Sequence, residues 1–263
     1  MLEPLLFVVA GLVVGGLIGL TGIGGGSLLT PILVFGFGQS PAVAVGTALG
    51  LSAVARLVAA GPLGAGRQVD WRIVRRLSLG SLPAAAGVLL WLALTPRSPG
   101  GADRLVLQGL AFMLLATGLG LLAQGALQRV GLRLTAASLA RVQRAKPALT
   151  IGLGTLIGIA VSLTSIGGGA LASAALVSLY PLRLSGQRLV ATSIAYALPL
   201  TVVAALGHAA LGQIDVAALG LLLLGAIPAV LLARRATWRL AGGALRPLLG
   251  AALATCAAWM LGA

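Results

Sequence analysis

The sequence predicts an all-α protein that crosses a lipid bilayer many times, and three observations support this fold class. Of the 263 residues, 59% are hydrophobic and only 8% are charged, whereas a soluble domain carries about 25% charged residues. Apolar stretches near the length that spans the hydrocarbon core, about 20 residues, recur along the whole chain. Two of the apolar regions are interrupted by glycine clusters. A surface with so few charges must face lipid over most of its area.

Eight apolar stretches approach or reach spanning length, and two shorter ones follow the glycine clusters. The two shorter pieces, 27–37 and 170–182, cannot cross a bilayer alone. We therefore expect about eight membrane helices plus two glycine-broken or re-entrant helices. The eight stretches cover residues 4–20, 42–60, 77–95, 104–123, 148–163, 188–206, 214–233 and 243–262.

Charge is concentrated in the breaks between these stretches. The net charge of +14 comes from 18 Lys and Arg against 4 Asp and Glu. Basic residues of this kind are typical of loops that stay on the cytoplasmic side and meet anionic lipid headgroups. A nucleic-acid partner is disfavoured, because aromatic residues make up only 4% of the chain and no basic–aromatic stacking platform occurs. The lipid bilayer is the expected partner.

The two halves of the chain repeat one another. A shift of 143 residues places nine positions from Gly11 to Leu28 on identical residues, and a shift of 145 places Asp70 on Asp215 further along. A duplicated unit explains a run of matches at nearly one offset. We predict a first transmembrane repeat over 1–123, a basic cytoplasmic linker over 124–147 and a second transmembrane repeat over 148–263.

Two observations disagree on the relative orientation of the repeats. The loop 67–76 is basic, whereas its counterpart near 208–215 contains no Lys or Arg. Under the positive-inside rule, that difference places equivalent loops on opposite sides of the membrane. Four crossings in each half would instead make the repeats parallel. We expect inversion, with the glycine-interrupted segments failing to cross as plain helices.

A glycine element occurs once in each repeat, as Thr21-Gly22-Ile23-Gly24-Gly25-Gly26-Ser27 and as Thr164-Ser165-Ile166-Gly167-Gly168-Gly169. Each glycine costs roughly 1 kcal/mol against alanine in a helix, so the helix should break there. The helix after each break presents free N–H groups and a positive dipole end, which suit an anion. We predict substrate-binding residues in both elements: Thr21, Gly24, Gly25, Gly26, Ser27, Thr164, Ser165, Gly167, Gly168 and Gly169.

Close helix packing is the alternative explanation for the glycines. Gly11, Gly15 and Gly19 recur every four residues, and this spacing is typical of a packing face. We expect this face of small residues to be exposed to lipid, where it also permits a homodimer. The triple glycines are consecutive rather than on one face, which favours a break that lines a substrate path.

Polar residues in the helices after the breaks extend the predicted site. Thr47 and the pair Thr192-Ser193 occupy equivalent places in the two repeats. Their hydroxyls are candidates to line the anion site. The alternative is that they bond the carbonyl four residues earlier in their own helix.

Arg56 and Arg188 are the predicted charged ligands. Arg56 lies well inside an apolar stretch, where a central arginine costs about 2.5–3.5 kcal/mol on insertion scales. It should therefore face a cavity, a partner or an anion. Arg188 begins the equivalent helix of the second repeat, and one arginine from each half would suit a dianion. Snorkelling of either side chain to the interface is the alternative.

The two repeat-equivalent aspartates and the histidine each have a structural interpretation. Asp70 and Asp215 are repeat equivalents that each precede an apolar helix. They are interpreted as helix N-caps, with proton or cation coupling as the alternative. His208, the single histidine, is interpreted as an ordinary interfacial side chain near a helix end.

An enzyme is not expected. The chain has too few His, Cys and carboxylate residues for a metal site, and it lacks a phosphate-binding P-loop. Ser27 and His208 are a poor match to a serine-protease dyad, because leucine follows the serine where such motifs carry glycine. No cofactor is predicted.

The whole chain resembles the sulfite exporter TauE/SafE family of membrane permeases. The resemblance rests on the two glycine elements, the duplicated apolar architecture, the basic central linker and Val69-Asp70-Trp71 after a glycine-rich loop. It implies export or uptake of small sulfur-containing anions, such as sulfite or organosulfonates, across the bacterial cytoplasmic membrane. The first glycine element is followed by Pro31, whereas the second has Ala174 at the aligned place.

These features together predict a multi-pass permease or secondary transporter for a small anion in the cytoplasmic membrane. An anion channel with the same lining is one alternative. A membrane scaffold subunit that transports nothing is another, although a scaffold has no need of buried helix breaks.

Overall fold

A computed structural model confirms the predicted all-α membrane fold for the part of the chain that it describes. The described residues are 2–21, 25–60, 69–95, 101–123, 126, 139–166, 168–180, 183–184, 186–240, 250–251 and 253–255. The predicted linker 124–147 and the last predicted apolar stretch, 243–262, lie largely outside these residues.

Nine α-helices and one π-helical segment form the described structure. The first repeat contributes α1 Leu2–Thr21, α2 Gly26–Pro31, the π-helical segment Ile32–Gly36, α3 Pro41–Ala60, α4 Trp71–Leu94 and α5 Gly101–Leu122. The second contributes α6 Leu139–Thr164, α7 Ala170–Leu179, α8 Gly186–Ala210 and α9 Val216–Leu240.

Within the described residues, six helices are long and apolar enough to cross a membrane, namely α1, α3, α4, α6, α8 and α9. Their outward faces carry large apolar side chains, as a lipid-facing surface requires. Examples of these exposed side chains are Leu5, Trp91, Leu94, Leu206 and Leu224. The chain is a multi-pass membrane protein, as its composition predicts.

The two repeats exchange their first helices. Helix α1 packs on α9 of the other half, and α6 packs on α4. A Cβ added at Gly11 would overlap the backbone of Leu222, and one added at Gly154 would overlap the backbone of Leu77. These are equivalent contacts, since Gly11 and Gly154 match under one shift and Leu77 and Leu222 under the other. The glycines therefore let helices of opposite halves approach closely.

The repeats are inverted. Helices α3 and α8 are repeat equivalents, and the start of α3 lies beside the end of α8, with the Cβ position of Gly46 3.2 Å from the Cβ of His208. Further along, Arg56 of α3 interacts with Tyr196 of α8. Residue numbers rise in one helix as they fall in the other, so the two equivalent helices run antiparallel. The inverted arrangement agrees with the difference in charge between the two equivalent loops. The count of four crossings in each half, which favoured parallel repeats, was misleading.

The glycine face of α1 is not a dimer surface. Gly11, Gly15 and Gly19 all pack against α9 of the same chain. The expectation that this face is exposed to lipid is therefore wrong, because the second repeat covers it. A homodimer would have to use another surface.

Candidate functional site

Each repeat contains a helix that folds back at its glycine element. Gly25 lies beside Val14 and Ile18, with its Cβ position 2.7 Å from a side-chain atom of each. At the other end of this piece, Phe37 stacks on Phe7 with ring centroids 3.9 Å apart. Helix α2 and the π-helical segment thus return alongside α1 as a re-entrant hairpin. In a straight helix Gly25 would lie roughly 10 Å beyond Ile18 along the axis.

The second glycine element makes the equivalent turn. The Cβ position of Gly168 is 3.4 Å from the Val161 side chain of α6 and 3.9 Å from Ala197 of α8. Gly168 and Val161 are the repeat equivalents of Gly25 and Ile18. The prediction of two glycine-broken helices is confirmed.

The two breaks meet inside the protein. The hydroxyls of Thr30 and Ser165 are 2.5 Å apart, and the Ser165 hydroxyl lies 3.3 Å from the carbonyl oxygen of Gly26. All three residues are buried. The structure therefore joins the Gly26 and Ser165 elements, as the interpretation of one shared site requires.

Ser165 is held in a strained backbone conformation. Its φ is +60°, in the left-handed region, which costs a non-glycine residue of order 1–3 kcal/mol. The equivalent residue of the first repeat is Gly22, which would adopt this conformation freely. Unlike glycine, Ser165 has a hydroxyl, and this hydroxyl donates a hydrogen bond to the Gly26 carbonyl at the break of the first repeat. The second repeat therefore carries strain at a position that links the two halves.

Crowding differs between the glycines of the two elements, which gives a first prediction. A Cβ at Gly26 would overlap the carbonyl oxygen of Ser165, whereas one at Gly168 would meet only ordinary van der Waals neighbours. We expect Gly26→Ala to lower both the melting temperature and the transport rate, because the added methyl group would push Gly26 away from Ser165 and separate the two helix breaks. Gly168→Ala is the matched control. Thermal unfolding in detergent measures the difference, and equal melting temperatures would contradict close contact of the breaks.

Arg56 is buried in the interior of the protein. It is 1% exposed, and its Nε and Nη1 atoms have no hydrogen-bond partner among the described residues. The snorkelling alternative is wrong for this side chain. A charge in an apolar interior is costly unless it is paired. The free donors of Arg56 are therefore suited to an anion that enters the protein.

Other unpartnered polar atoms lie on the helix faces near Arg56. Ser52 is one turn earlier in α3, and the Tyr196 side chain interacts with both Arg56 and Ser81. Ser193 is one turn before Tyr196 in α8. Five buried side chains here each have an oxygen or nitrogen atom without a well-formed hydrogen bond in the described residues, and the contact between Tyr196 and Ser81 does not supply one. We name this set the Arg56 cluster: Ser52, Arg56, Ser81, Ser193 and Tyr196.

The Arg56 cluster lies next to the second helix break. Ala197, which follows Tyr196 in α8, is the residue that faces Gly168. Helices α3 and α4 of one half and α8 of the other supply the cluster. A buried site built from both halves beside a helix break is where transporters with inverted repeats bind their substrates.

Arg188 does not join this cluster. Its side chain is exposed at the start of α8, and it lies eight residues, roughly 12 Å along the helix, before Tyr196. The expectation of one arginine from each half at a single site is therefore not met. Thr201, the repeat equivalent of Arg56, is a buried threonine that bonds its own helix at the Ala197 carbonyl.

Thr47 and Thr192 connect the halves instead of lining the cluster. The Thr192 hydroxyl accepts the Asp70 N–H at 3.1 Å, and the Thr47 hydroxyl accepts the Asp215 N–H at 3.0 Å. The Thr192 hydroxyl also donates to the carbonyl of Arg188, four residues earlier, at 2.7 Å. Thr164 likewise donates to the Ala160 carbonyl at 2.6 Å. The alternative of local helix bonding is confirmed for Thr192.

Asp70 and Asp215 cap the helices that follow them. The Asp70 carboxylate accepts the N–H of Ile73, and the Asp215 carboxylate accepts the N–H of Ala218. The N-cap interpretation is confirmed for both residues. Each carboxylate also contacts a loop of the opposite repeat. Asp215 accepts a hydrogen bond at 3.0 Å from Gln39, which lies before α3. Asp70 lies 4.0 Å from the guanidinium of Arg183, which lies before α8. A coupling role for the two acids stays a prediction.

The hydrogen bonds that join each threonine to the aspartate of the opposite repeat give a second prediction. Thr192→Val removes the acceptor for the Asp70 N–H, and we expect the free energy of unfolding to fall by about 1–3 kcal/mol. Thr47→Val should do the same at the equivalent contact. Thr95→Val is the control, because this exposed threonine bonds only its own helix at Trp91. Denaturant unfolding in detergent provides the measurement, and three equal values would refute a linking role.

The remaining predicted residues have mixed outcomes. Ser27 is 2% exposed beside the first break. Gly169 immediately precedes α7, as predicted for a residue at a helix start. Gly24, Gly167 and the side chain of Thr21 lie outside what the structure describes.

Sequence reasoning missed Tyr196 and misjudged His208. Tyr196 is a single tyrosine in an apolar stretch, and only the antiparallel crossing of α3 and α8 reveals its place beside Arg56. The interfacial interpretation of His208 is wrong, because this side chain is 2% exposed and bonds Ser162 and Gln213. A histidine beside a predicted turn gives no sequence signal of burial.

Two inverted halves, two broken helices that meet in the interior and a buried arginine with donors unpaired in the described residues are features of membrane transporters. Comparison with known proteins agrees. Residues 7–260 match the sulfite exporter TauE/SafE family, and the chain belongs to that family.

A curated relative supports the same class. The chain is 32% identical over 225 residues to a protein of Bacillus subtilis (strain 168) described as "Probable membrane transporter protein YjnA". The alignment covers 86% of this chain and 87% of the relative. No solved structure matches the chain.

Proposed function

We propose that this protein is a secondary transporter that moves a small sulfur oxyanion, sulfite or an organosulfonate, across the bacterial cytoplasmic membrane. The observation that carries the proposal is Arg56, which is 1% exposed and holds two nitrogen atoms without hydrogen-bond partners in the described structure. The family description supports the choice of sulfite.

The chemistry of the Arg56 cluster suits an oxyanion. A guanidinium presents its N–H donors in a planar fork that matches the oxygen atoms of a sulfite or sulfonate group. Three serine hydroxyls and the Tyr196 hydroxyl supply further donors. The buried surroundings strengthen each of these bonds relative to water.

Alternating access follows from the inverted repeats. The Arg56 cluster takes residues from α3, α4 and α8, so its shape changes when one half moves against the other. Tilting of this kind exposes a central site to each side in turn. The contacts between Ser165 and Gly26 lie across that moving boundary.

Flux into proteoliposomes tests the proposal. Purified protein is assayed with labelled sulfite and a panel of sulfonates, with and without a pH gradient. We expect saturable uptake and counterflow of sulfite. Non-saturable flux without counterflow would indicate an anion channel, and folded protein that moves none of the anions would overturn the proposal in favour of a scaffold.

A further inference from the structure

His208 caps the end of α6, directly before the second helix break. Its Nε2 atom lies 2.8 Å from the carbonyl oxygen of Ser162, which is among the last four residues of α6. Carbonyls in that position lack partners within the helix. Because a carbonyl only accepts hydrogen bonds, the Nε2 atom carries a proton in every state that keeps this contact.

The second ring nitrogen of His208 faces a side chain that can hydrogen-bond to it in both the neutral and the charged state of the ring. The Nδ1 atom lies 2.7 Å from the side-chain oxygen Oε1 of Gln213. A glutamine amide donates through its nitrogen and accepts through its oxygen, and rotation exchanges the two. Neutral His208 accepts a bond from the amide nitrogen, whereas charged His208 donates to the amide oxygen. A second proton therefore enters without loss of either hydrogen bond.

The end of α6 offsets part of the cost of burying that second proton's charge. The C-terminus of a helix carries a partial negative charge, which stabilises a cation at its last carbonyls. Helix α3 presents Gly46 to this side chain and α4 presents Leu89 to the adjacent Gly207, and neither is charged. In the described residues around His208, the nearest charged group along the chain is Asp215, whose carboxylate bonds Gln39 and Ala218.

A short path joins His208 to the helix breaks. Ser162 is three residues before Ser165, which bonds Gly26 and faces Thr30 of the opposite repeat. Arg56 is ten residues beyond Gly46 in α3, roughly 15 Å along the helix. A charge on His208 thus acts on the backbone directly before the second helix break, at the end of α6.

We infer that His208 is the proton-binding site through which this transporter couples anion movement to the pH gradient. The inference rests on the proposed function. One proton adds to Nδ1 from water on one side of the membrane and leaves to water on the other side. Anion and proton stabilise each other's binding, and the effect is reciprocal.

The single histidine permits a direct test. Protein with ¹⁵N-labelled histidine, purified without a histidine tag, reports only His208 by NMR. We expect a change from the Nε2–H tautomer to imidazolium between about pH 9 and pH 5. Saturating sulfite should raise the midpoint by about one pH unit, which corresponds to tenfold coupling. A neutral ring over the whole range would overturn the inference.

Transport by His208→Gln separates coupling from a structural role. Glutamine still donates to the Ser162 carbonyl but takes up no proton in this range. We expect the variant to retain sulfite counterflow at equal pH and to lose accumulation driven by a pH gradient. Accumulation equal to wild type, or loss of both activities together, would refute the coupling role. Absence of any wild-type flux would instead remove the proposed function itself.

Discussion

We expect Arg56→Gln to abolish saturable sulfite uptake and Arg188→Gln to retain it. The two substitutions remove the same charge from equivalent helices of the two repeats, but only Arg56 is buried with unpaired donors. Loss of a charged hydrogen bond to a buried anion costs about 2–5 kcal/mol, or roughly 30-fold to several-thousand-fold in affinity. The measurement is the concentration dependence of uptake into proteoliposomes.

Two controls make this result interpretable. Thermal unfolding shows whether Arg56→Gln still folds, and removal of an unpaired buried charge should leave stability unchanged or raise it. Arg56→Lys keeps the charge but loses the planar fork, so uptake should fall to an intermediate level. Equal uptake by wild type and Arg56→Gln would exclude the Arg56 cluster as the substrate site.

We expect Gly15→Ala to destabilise the protein strongly and Gly16→Ala not to do so. A Cβ at Gly15 would stand 2.6 Å from the backbone of Ala226 in α9, whereas a Cβ at Gly16 meets nothing within 4 Å. Forced separation of packed helices costs about 1–3 kcal/mol. Alanine at an uncrowded helix position instead gains up to about 1 kcal/mol over glycine. The melting temperatures should therefore move in opposite directions.

The second repeat offers an independent check of the same contact. Gly158 packs against Ser81 of α4 as Gly15 packs against Ala226 of α9. Gly158→Ala should lower the melting temperature by an amount close to that of Gly15→Ala. If neither substitution changes the melting temperature, the exchanged packing of the two repeats is wrong.

The fold was largely predictable from the sequence, because lipid imposes strong rules on composition and helix length. The glycine elements also indicated the breaks. The packing partner of Gly11, Gly15 and Gly19 was not predictable, since a small-residue face shows that a helix is close without showing which one. The structure assigns it to α9, which excludes the predicted exposed face.

The candidate site was predictable only in part. Arg56 stood out because a charge within an apolar stretch has a cost that the sequence displays. Tyr196 became a functional candidate only through the antiparallel crossing of α3 and α8, and His208 only through its contacts with Ser162 of α6 and Gln213, none of which a local pattern encodes. Arg188 occupies an equivalent helix but ends at the surface, because repeat equivalence fixes the helix and not the depth of each side chain.

The packing of α1 on α9 also affects the folding of the chain during synthesis and membrane insertion. About 195 residues separate the end of α1 from the start of α9, and at typical synthesis rates this interval lasts roughly 10–40 s. Throughout that time the glycine face of α1 lies in the membrane without its partner. The first repeat cannot complete its packing before the second is inserted. Truncation after the first repeat would therefore leave that face uncovered.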